Sequence, residues 1–308
     1  RGGRPGPEAQ GPGARTFDRM RAEAIKRIPV RLRNQFMRTR AGQRLAAPFG
    51  AQLQGKRWIF ILGCYNSGTT LLKDILTAHP QIAALPGEGV RFTDALPRPE
   101  DFGWNRMWCR CLDRIRLQPG EDMEGRVERI KRQWSILYPS GRPYLLEKSV
   151  ANAARSPFLQ TYFRPAYFIY LVRNGYAVAE GIRRKANPAR YNNRDYPSNY
   201  PISLCAEQWI ATDRVLTEDR SQLERFACVR YEELTAAPDE TVRALTDFLE
   251  LDPLPAGNLG GRWQVHGVQS EIRDMNRMAI ERLSDADIAQ IQEVAGEILG
   301  KYDYPRPR

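Results

Sequence analysis

The residues best placed to do chemistry stand in one short loop, Gly63-Cys64-Tyr65-Asn66-Ser67-Gly68-Thr69-Thr70. Gly63 and Gly68 let the backbone turn tightly and come close to a ligand. The residues before the loop, Trp58-Ile59-Phe60-Ile61-Leu62, are apolar throughout, as in a parallel strand covered on both faces. After it, Leu71, Leu72, Ile75 and Leu76 recur at helical spacing as far as His79-Pro80, where proline stops a helix. A helix starting near Thr69 leaves its first-turn N–H groups unpaired, and these together with the helix dipole attract an anion. The loop therefore reads as a phosphate cradle; an ordinary strand-to-helix turn is the plainer alternative.

A nucleoside-triphosphate loop carries Lys and then Ser or Thr directly after its second glycine. Here Thr69 stands in the lysine position. Kinase or ATPase chemistry would lack its main counter-charge. Instead, Ser67-Gly68-Thr69-Thr70-Leu71-Leu72 resembles the 5′-phosphosulfate loop of sulfotransferases that use 3′-phosphoadenosine 5′-phosphosulfate (PAPS). That family usually has Arg or Lys just before the Ser-Gly-Thr-Thr, and Asn66 stands there in this chain. The resemblance implies that Gly63, Asn66, Ser67, Gly68, Thr69 and Thr70 border the donor's phosphosulfate. Sulfuryl transfer builds negative charge on the departing bridging oxygen, which cations and N–H donors must meet. The acceptor needs a base for its proton, and the donor must be held in line. N–H groups, Arg and Lys satisfy the phosphates, so no metal is expected.

Further stretches resemble the branch of that family that includes the tyrosylprotein sulfotransferases. Glu88, in Gly87-Glu88-Gly89-Val90-Arg91, matches the catalytic base. Lys148, in Leu146-Glu147-Lys148-Ser149, matches the lysine that stabilises the transition state. Arg173, in Leu171-Val172-Arg173-Asn174-Gly175, matches the arginine that grips the 3′-phosphate, a task suited to a planar fork of donors. A serine eight residues on normally helps; that position is Gly181, and Lys185 four further on matches a basic residue nearby. Tyr231, in Arg230-Tyr231-Glu232-Glu233-Leu234, matches a tyrosine that borders the nucleotide, and Ser270 lies where the branch has a donor-contacting serine. His266 is a candidate second base, a structural histidine being the plainer alternative. Lys148 or Lys73 could supply the charge missing at position 66.

These residues need a scaffold that brings distant segments to one edge. Short apolar runs at 82–85, 144–146, 167–172 and 226–229 read as strands, and each is followed within a few residues by a candidate site residue. Between them, helices are expected over 121–137, 151–163, 175–185, 202–222 and 238–249, with a last one over 284–299. Leu283, Ile288, Ile291, Val294 and Ile298 form the apolar stripe of that last helix. Residues 97–120 read as a loop-rich insertion and 187–201 as a long loop. Trp209 reads as a core residue. Strands alternating with helices predict an α/β fold, a central parallel sheet flanked by helices and P-loop-like, as in sulfotransferases.

The chain has 308 residues and a net charge of +11. Residues 1–56 hold 13 Lys or Arg against 3 Asp or Glu, so the remainder is nearly neutral. A nucleic-acid protein would show a basic stripe on its binding face, and none is expected here. Residues 1–55 read as a basic extension, partly disordered and partly helical. Thr16 could cap a helix with Phe17, Met20, Ala24, Ile25 and Ile28 on one face, and the arm either touches a membrane surface or polyanion or packs on the domain. Residues 56–308 read as the sulfotransferase domain that the resemblance implies. The 5 cysteines are odd in number and have no zinc spacing, and 2 histidines exclude a multi-histidine metal centre. A reducing, cytoplasmic compartment is the expectation. No apolar run spans a membrane, yet the chain starts at Arg1, so an upstream anchor and a Golgi location stay open. The acceptor partner is a peptide, a carbohydrate or a small molecule. Two rival readings remain, an ATP-dependent kinase with a degenerate loop and a PAPS-binding protein that has lost its chemistry.

Overall fold

The computed structural model describes residues 28–139, 141–254, 263–265, 268–270 and 272–308. The expected features of residues 1–27, and His266, lie outside these. Five strands, β1 (Arg57–Gly63), β2 (Ile82–Ala84), β3 (Tyr144–Glu147), β4 (Ala166–Val172) and β5 (Phe226–Arg230), form one sheet in the order β2-β3-β1-β4-β5. Every pairing in it is parallel, and Ile59 at its centre stands between Leu146 and Tyr167. A parallel sheet puts all strand carboxyl ends on one edge. The chain crosses to opposite sides of β1, so that edge has a crevice where the strand order reverses, the usual ligand position in open α/β sheets.

Helices cover both faces: α1 (Val30–Met37), α2 (Arg40–Ala46), α3 (Thr69–Thr77), α4 (Glu124–Ser135), α5 (Ser156–Tyr162), α6 (Gly175–Lys185), α7 (Ile202–Asp219), α8 (Tyr231–Ala236), α9 (Pro238–Phe248), α10 (Asn276–Ile280) and α11 (Asp285–Lys301). Side chains alternate across a strand, and β1 divides its own between two cores. Trp58, Phe60 and Leu62 join Trp134, Phe163 and Phe168 on one face, while Ile59 and Ile61 join Leu72, Ile75 and Leu146 on the other. The Trp58 and Phe163 rings meet edge to face, 4.9 Å apart at 86°, a favoured aromatic geometry. Residues before β1 also pack on this body. Met37 is buried, Gln43 Nε2 donates to the Arg91 carbonyl at 2.9 Å, and Gln133 Nε2 donates to the Gln43 carbonyl at 2.9 Å.

Several sequence expectations change in detail. The helix expected over 151–163 starts only at Ser156; Val150–Arg155 winds as a tighter 3-10 segment, and Pro157 sits in the first turn of α5, where its missing N–H costs nothing. The helix expected from residue 121 begins at Glu124, after one 3-10 turn. The stretch after β5 forms the short helix α8. Val294 does not belong to the buried stripe of α11, being 37% exposed, whereas Leu283, Ile288, Ile291 and Ile298 are buried.

Candidate active site

The loop between β1 and α3 is held by two left-handed residues. Gly68 has φ +93°, and a Cβ there would lie 2.6 Å from the Tyr231 ring, so only glycine fits. Asn66 has φ +64°, a conformation that Asn adopts more readily than most side chains. No side chain caps the N-terminus of α3. Beside it, the buried Ser67 Oγ and the Asn66 Nδ2 find no hydrogen-bond partner among the described residues. Buried polar atoms are nearly always satisfied. Two orphans at a helix N-terminus form a socket for an incoming polar group, and the helix end selects an anion.

Cations gather on the β4 side of this loop. Arg173 follows the last residue of β4 and is 9% exposed. Its Nη1 donates to the Asn66 carbonyl at 2.7 Å and its Nε to Asn276 Oδ1 at 2.7 Å, while its guanidinium lies 4.2 Å from the Tyr231 ring centre. Asn276 in turn donates to Glu232 Oε1 at 2.6 Å, and Tyr304 donates to Glu232 Oε2 at 2.9 Å. Trp209 Nε1 donates to the Arg173 carbonyl at 3.1 Å. Burial lowers the Arg173 pKa from its ordinary value, yet no carboxylate pairs with Arg173 among the described residues. Lys185 ends α6, where partial burial and then the charges of Arg106, Arg184 and Arg173 lower its pKa.

Carboxylates gather on the β3 side. Glu88 Oε1 accepts from Lys148 Nζ at 3.2 Å, and Arg91 Nε stands 3.9 Å from Glu88 Oε2. Behind this pair Glu147, 1% exposed, accepts from the Gly89 N–H at 2.6 Å and from the side chains of Ser149 and Asn152. Burial raises the Glu147 pKa to about 7, the Ser149 and Gly89 donors opposing it. A Cβ on Gly89 would lie 2.6 Å from Glu147 Oε1, and Trp134 Nε1 donates to the Gly89 carbonyl at 3.0 Å. The backbone that presents Glu88 is therefore anchored one residue along by a buried carboxylate and an indole.

The structure brings together most of the residues singled out from sequence. Glu88 meets Lys148, Tyr231 meets both Gly68 and Arg173, and Gly181 packs on Asn66, where an added Cβ would lie 2.9 Å from Asn66 Cγ. Thr69 and Thr70 open α3, and Lys185 lies one turn beyond Gly181 on α6. Lys73 does not join the loop; it pairs with Asp74 at 2.8 Å. Ser270 ends strand β7 (Val268–Ser270), antiparallel to β6 (Trp263–Val265), which runs beside α3. Glu147, Asn276 and the clamp role of Trp209 were missed. Glu147 alone carried a signal, a Glu directly before the strand-tip lysine.

An open parallel sheet with a crevice at its switch point, a cationic flank and a carboxylate flank places the chain among the open α/β proteins that take ligands at their strand ends. Within that class the chain belongs to the sulfotransferase family, whose profile matches residues 58–255. It is 28% identical over 219 residues to protein-tyrosine sulfotransferase 1 of Danio rerio, covering 69% of this chain and 58% of that one. It is 23% identical over 243 residues to protein-tyrosine sulfotransferase A of Caenorhabditis elegans, covering 74% of this chain and 57% of that one. The chain thus spans a little over half the length of these curated relatives. Sulfotransferase STF9 from Mycobacterium avium has the same fold, with a TM-score of 0.54 at 17% identity over 97% of this chain and 88% of that one. No described helix is long and apolar enough to cross a membrane.

Proposed function

We propose that the protein transfers a sulfuryl group from PAPS to a hydroxyl acceptor, with a tyrosyl peptide as the favoured acceptor class. The observation that carries this reading is the pair of orphaned atoms, Ser67 Oγ and Asn66 Nδ2, at the start of α3 and beside an arginine without a carboxylate partner. An anion at the start of α3 would accept from both and meet the Arg173 guanidinium. When bound, PAPS supplies an activated SO3 group on a phosphate leaving group.

The chain's own residues then divide the work. Ser67, Thr69, Thr70 and the first N–H groups of α3 hold the 5′ end, with Gly63 and Gly68 keeping the backbone close. Arg173 and Lys185 hold the 3′-phosphate, and Tyr231 walls the pocket; Ser270 would add a hydroxyl from the hairpin. Glu88 accepts the proton of the acceptor hydroxyl. Lys148, 3.2 Å from Glu88, offers its ammonium to the oxygen that gains charge. The tyrosyl preference rests on the named relatives.

Calorimetric titration with adenosine 3′,5′-bisphosphate, against ATP with and without magnesium, tests the donor. We expect metal-independent binding of the bisphosphate and none of ATP. ATP binding that requires magnesium would return the loop to the kinases. Bisphosphate binding without sulfuryl transfer to any tyrosyl peptide, glycan or small alcohol would leave the chain a binder without chemistry.

A further inference from the structure

The loop-rich insertion lays one cationic side chain over the ring of Tyr65 in the β1–α3 loop. Arg106 is half-buried and has φ +60°, a conformation that is strained for an arginine. Such strain persists where the surroundings enforce it, and it concentrates at functional sites. The surroundings are visible. Asn105 donates to Glu100 Oε1 at 3.1 Å and accepts from the Asn187 N–H at 3.0 Å, two residues beyond Lys185. Asn193 Nδ2 donates to the Gly103 carbonyl at 3.0 Å, and the rings of Trp104 and Tyr200 stack 6.2 Å apart. The insertion is thus tied to the 187–201 loop through the three residues directly before Arg106.

What Arg106 reaches is the cradle. Its guanidinium lies 5.7 Å from the ring centre of Tyr65, the residue before Asn66. No carboxylate pairs with it among the described residues. Its charge also bears on Lys185 and on Cys64. A half-buried guanidinium held without a counter-ion, beside a loop that already has two orphaned polar atoms, has a ligand as its natural partner. Asn66 is neutral, and Gly181 offers no hydroxyl beside it.

We infer that Arg106, supplied by the insertion, is the cation that meets the donor's phosphosulfate in place of the charge absent at position 66. This assignment rests on the sulfotransferase reading above. Arg106 is a binding residue reached from a different segment of the chain, and its planar fork suits two phosphate oxygens better than an ammonium does.

The test is Arg106→Asn, because Asn tolerates a positive φ and so removes the charge without adding backbone strain. Arg106→Lys keeps the charge. We expect Arg106→Asn to melt at or slightly above the wild-type temperature. It should bind adenosine 3′,5′-bisphosphate about 10- to 100-fold more weakly, the loss of a charged hydrogen bond, with a shallower dependence of affinity on salt. Arg106→Lys should lose only a few-fold. Bisphosphate affinity within twofold of wild type in Arg106→Asn, or an equal loss in the Lys variant with unchanged salt dependence, would overturn the assignment. Failure of the wild-type protein to bind the bisphosphate would instead sink the sulfotransferase reading itself.

Discussion

The two flanks of the phosphate loop are built on opposite principles. On the β3 side the charges that face the site are matched inside the protein, Glu88 with Lys148, and the buried Glu147 behind them accepts from the neutral Gly89 N–H, Ser149 and Asn152. On the β4 side they are not. Arg173 has neutral partners, Lys185 faces other cations, and Asn66 and Ser67 keep unpaired atoms. A matched flank is complete without ligand and can hold a reactive group still. An unmatched one is completed only by an anion. On the function proposed above, the first flank handles the proton and the second binds the donor, and substitutions on the two sides should separate accordingly.

The sharpest separation is expected from Glu88→Gln. A general base contributes roughly 10²- to 10⁴-fold to rate, so turnover should fall by about that factor while bisphosphate affinity stays within twofold. Full activity in this variant would remove Glu88 from the chemistry. Arg173→Lys should do the reverse. It keeps a charge but cannot reproduce both the bond to Asn66 and the bond to Asn276. We expect a loss of about 10- to 100-fold in bisphosphate affinity, the scale of one charged hydrogen bond. If donor affinity survives, the cationic flank is not the donor's side.

A smaller effect separates the flanks by pH. Glu147 has its pKa raised from 4.5 to about 7 by burial. The folded state therefore holds a proton that the unfolded chain releases above pH 4.5. Stability linked to Glu147 is full below that pH and is lost as pH rises toward 7, with no further change beyond. Glu147→Gln should flatten the melting temperature across that window, whatever constant offset it introduces. An unchanged slope would show that Glu147 is already ionised in the folded protein and that the donors around it outweigh its burial.

Much of this was legible before any coordinates. The apolar run of β1, the glycines of the loop and the charged residues after each strand fixed both the parallel sheet and the edge at which chemistry would sit. Glu88, Lys148 and Arg173 stand at that edge because a parallel sheet leaves them no other. What stayed hidden were contacts between segments far apart in sequence. Asn276 reaches Arg173 across 103 residues of chain. Arg106 lies in a stretch without periodicity, so nothing in its neighbours forecast where it would point. Val294 was misplaced because an apolar residue at helical spacing says nothing about whether a partner element covers it. Lys73 was misjudged for a similar reason, since the pull of its neighbour Asp74 is a matter of rotamer, not of sequence spacing.

The smallest expected effect concerns two departures from the family pattern that touch each other in the structure. Gly181 lies directly against Asn66: a Cβ added there would come within 2.9 Å of Asn66 Cγ and 3.1 Å of Asn66 Nδ2. Asn66 cannot easily yield, because its backbone is left-handed and its carbonyl accepts from Arg173. Restoring the serine alone, as Gly181→Ser, should therefore crowd the cradle. Replacing a helical glycine gains about 0.5 kcal/mol in propensity, which offsets much of the steric cost in the melting temperature. The displaced Asn66 should still weaken bisphosphate binding a few-fold. Shortening the neighbour in Asn66→Ala removes the clash, so Gly181→Ser should cost less in that background than in wild type. Coupling of about 0.5 kcal/mol or more in the double-mutant cycle is the scale expected of touching residues. Strict additivity would mean that the two positions changed independently, and the unmatched flank would then owe nothing to their contact.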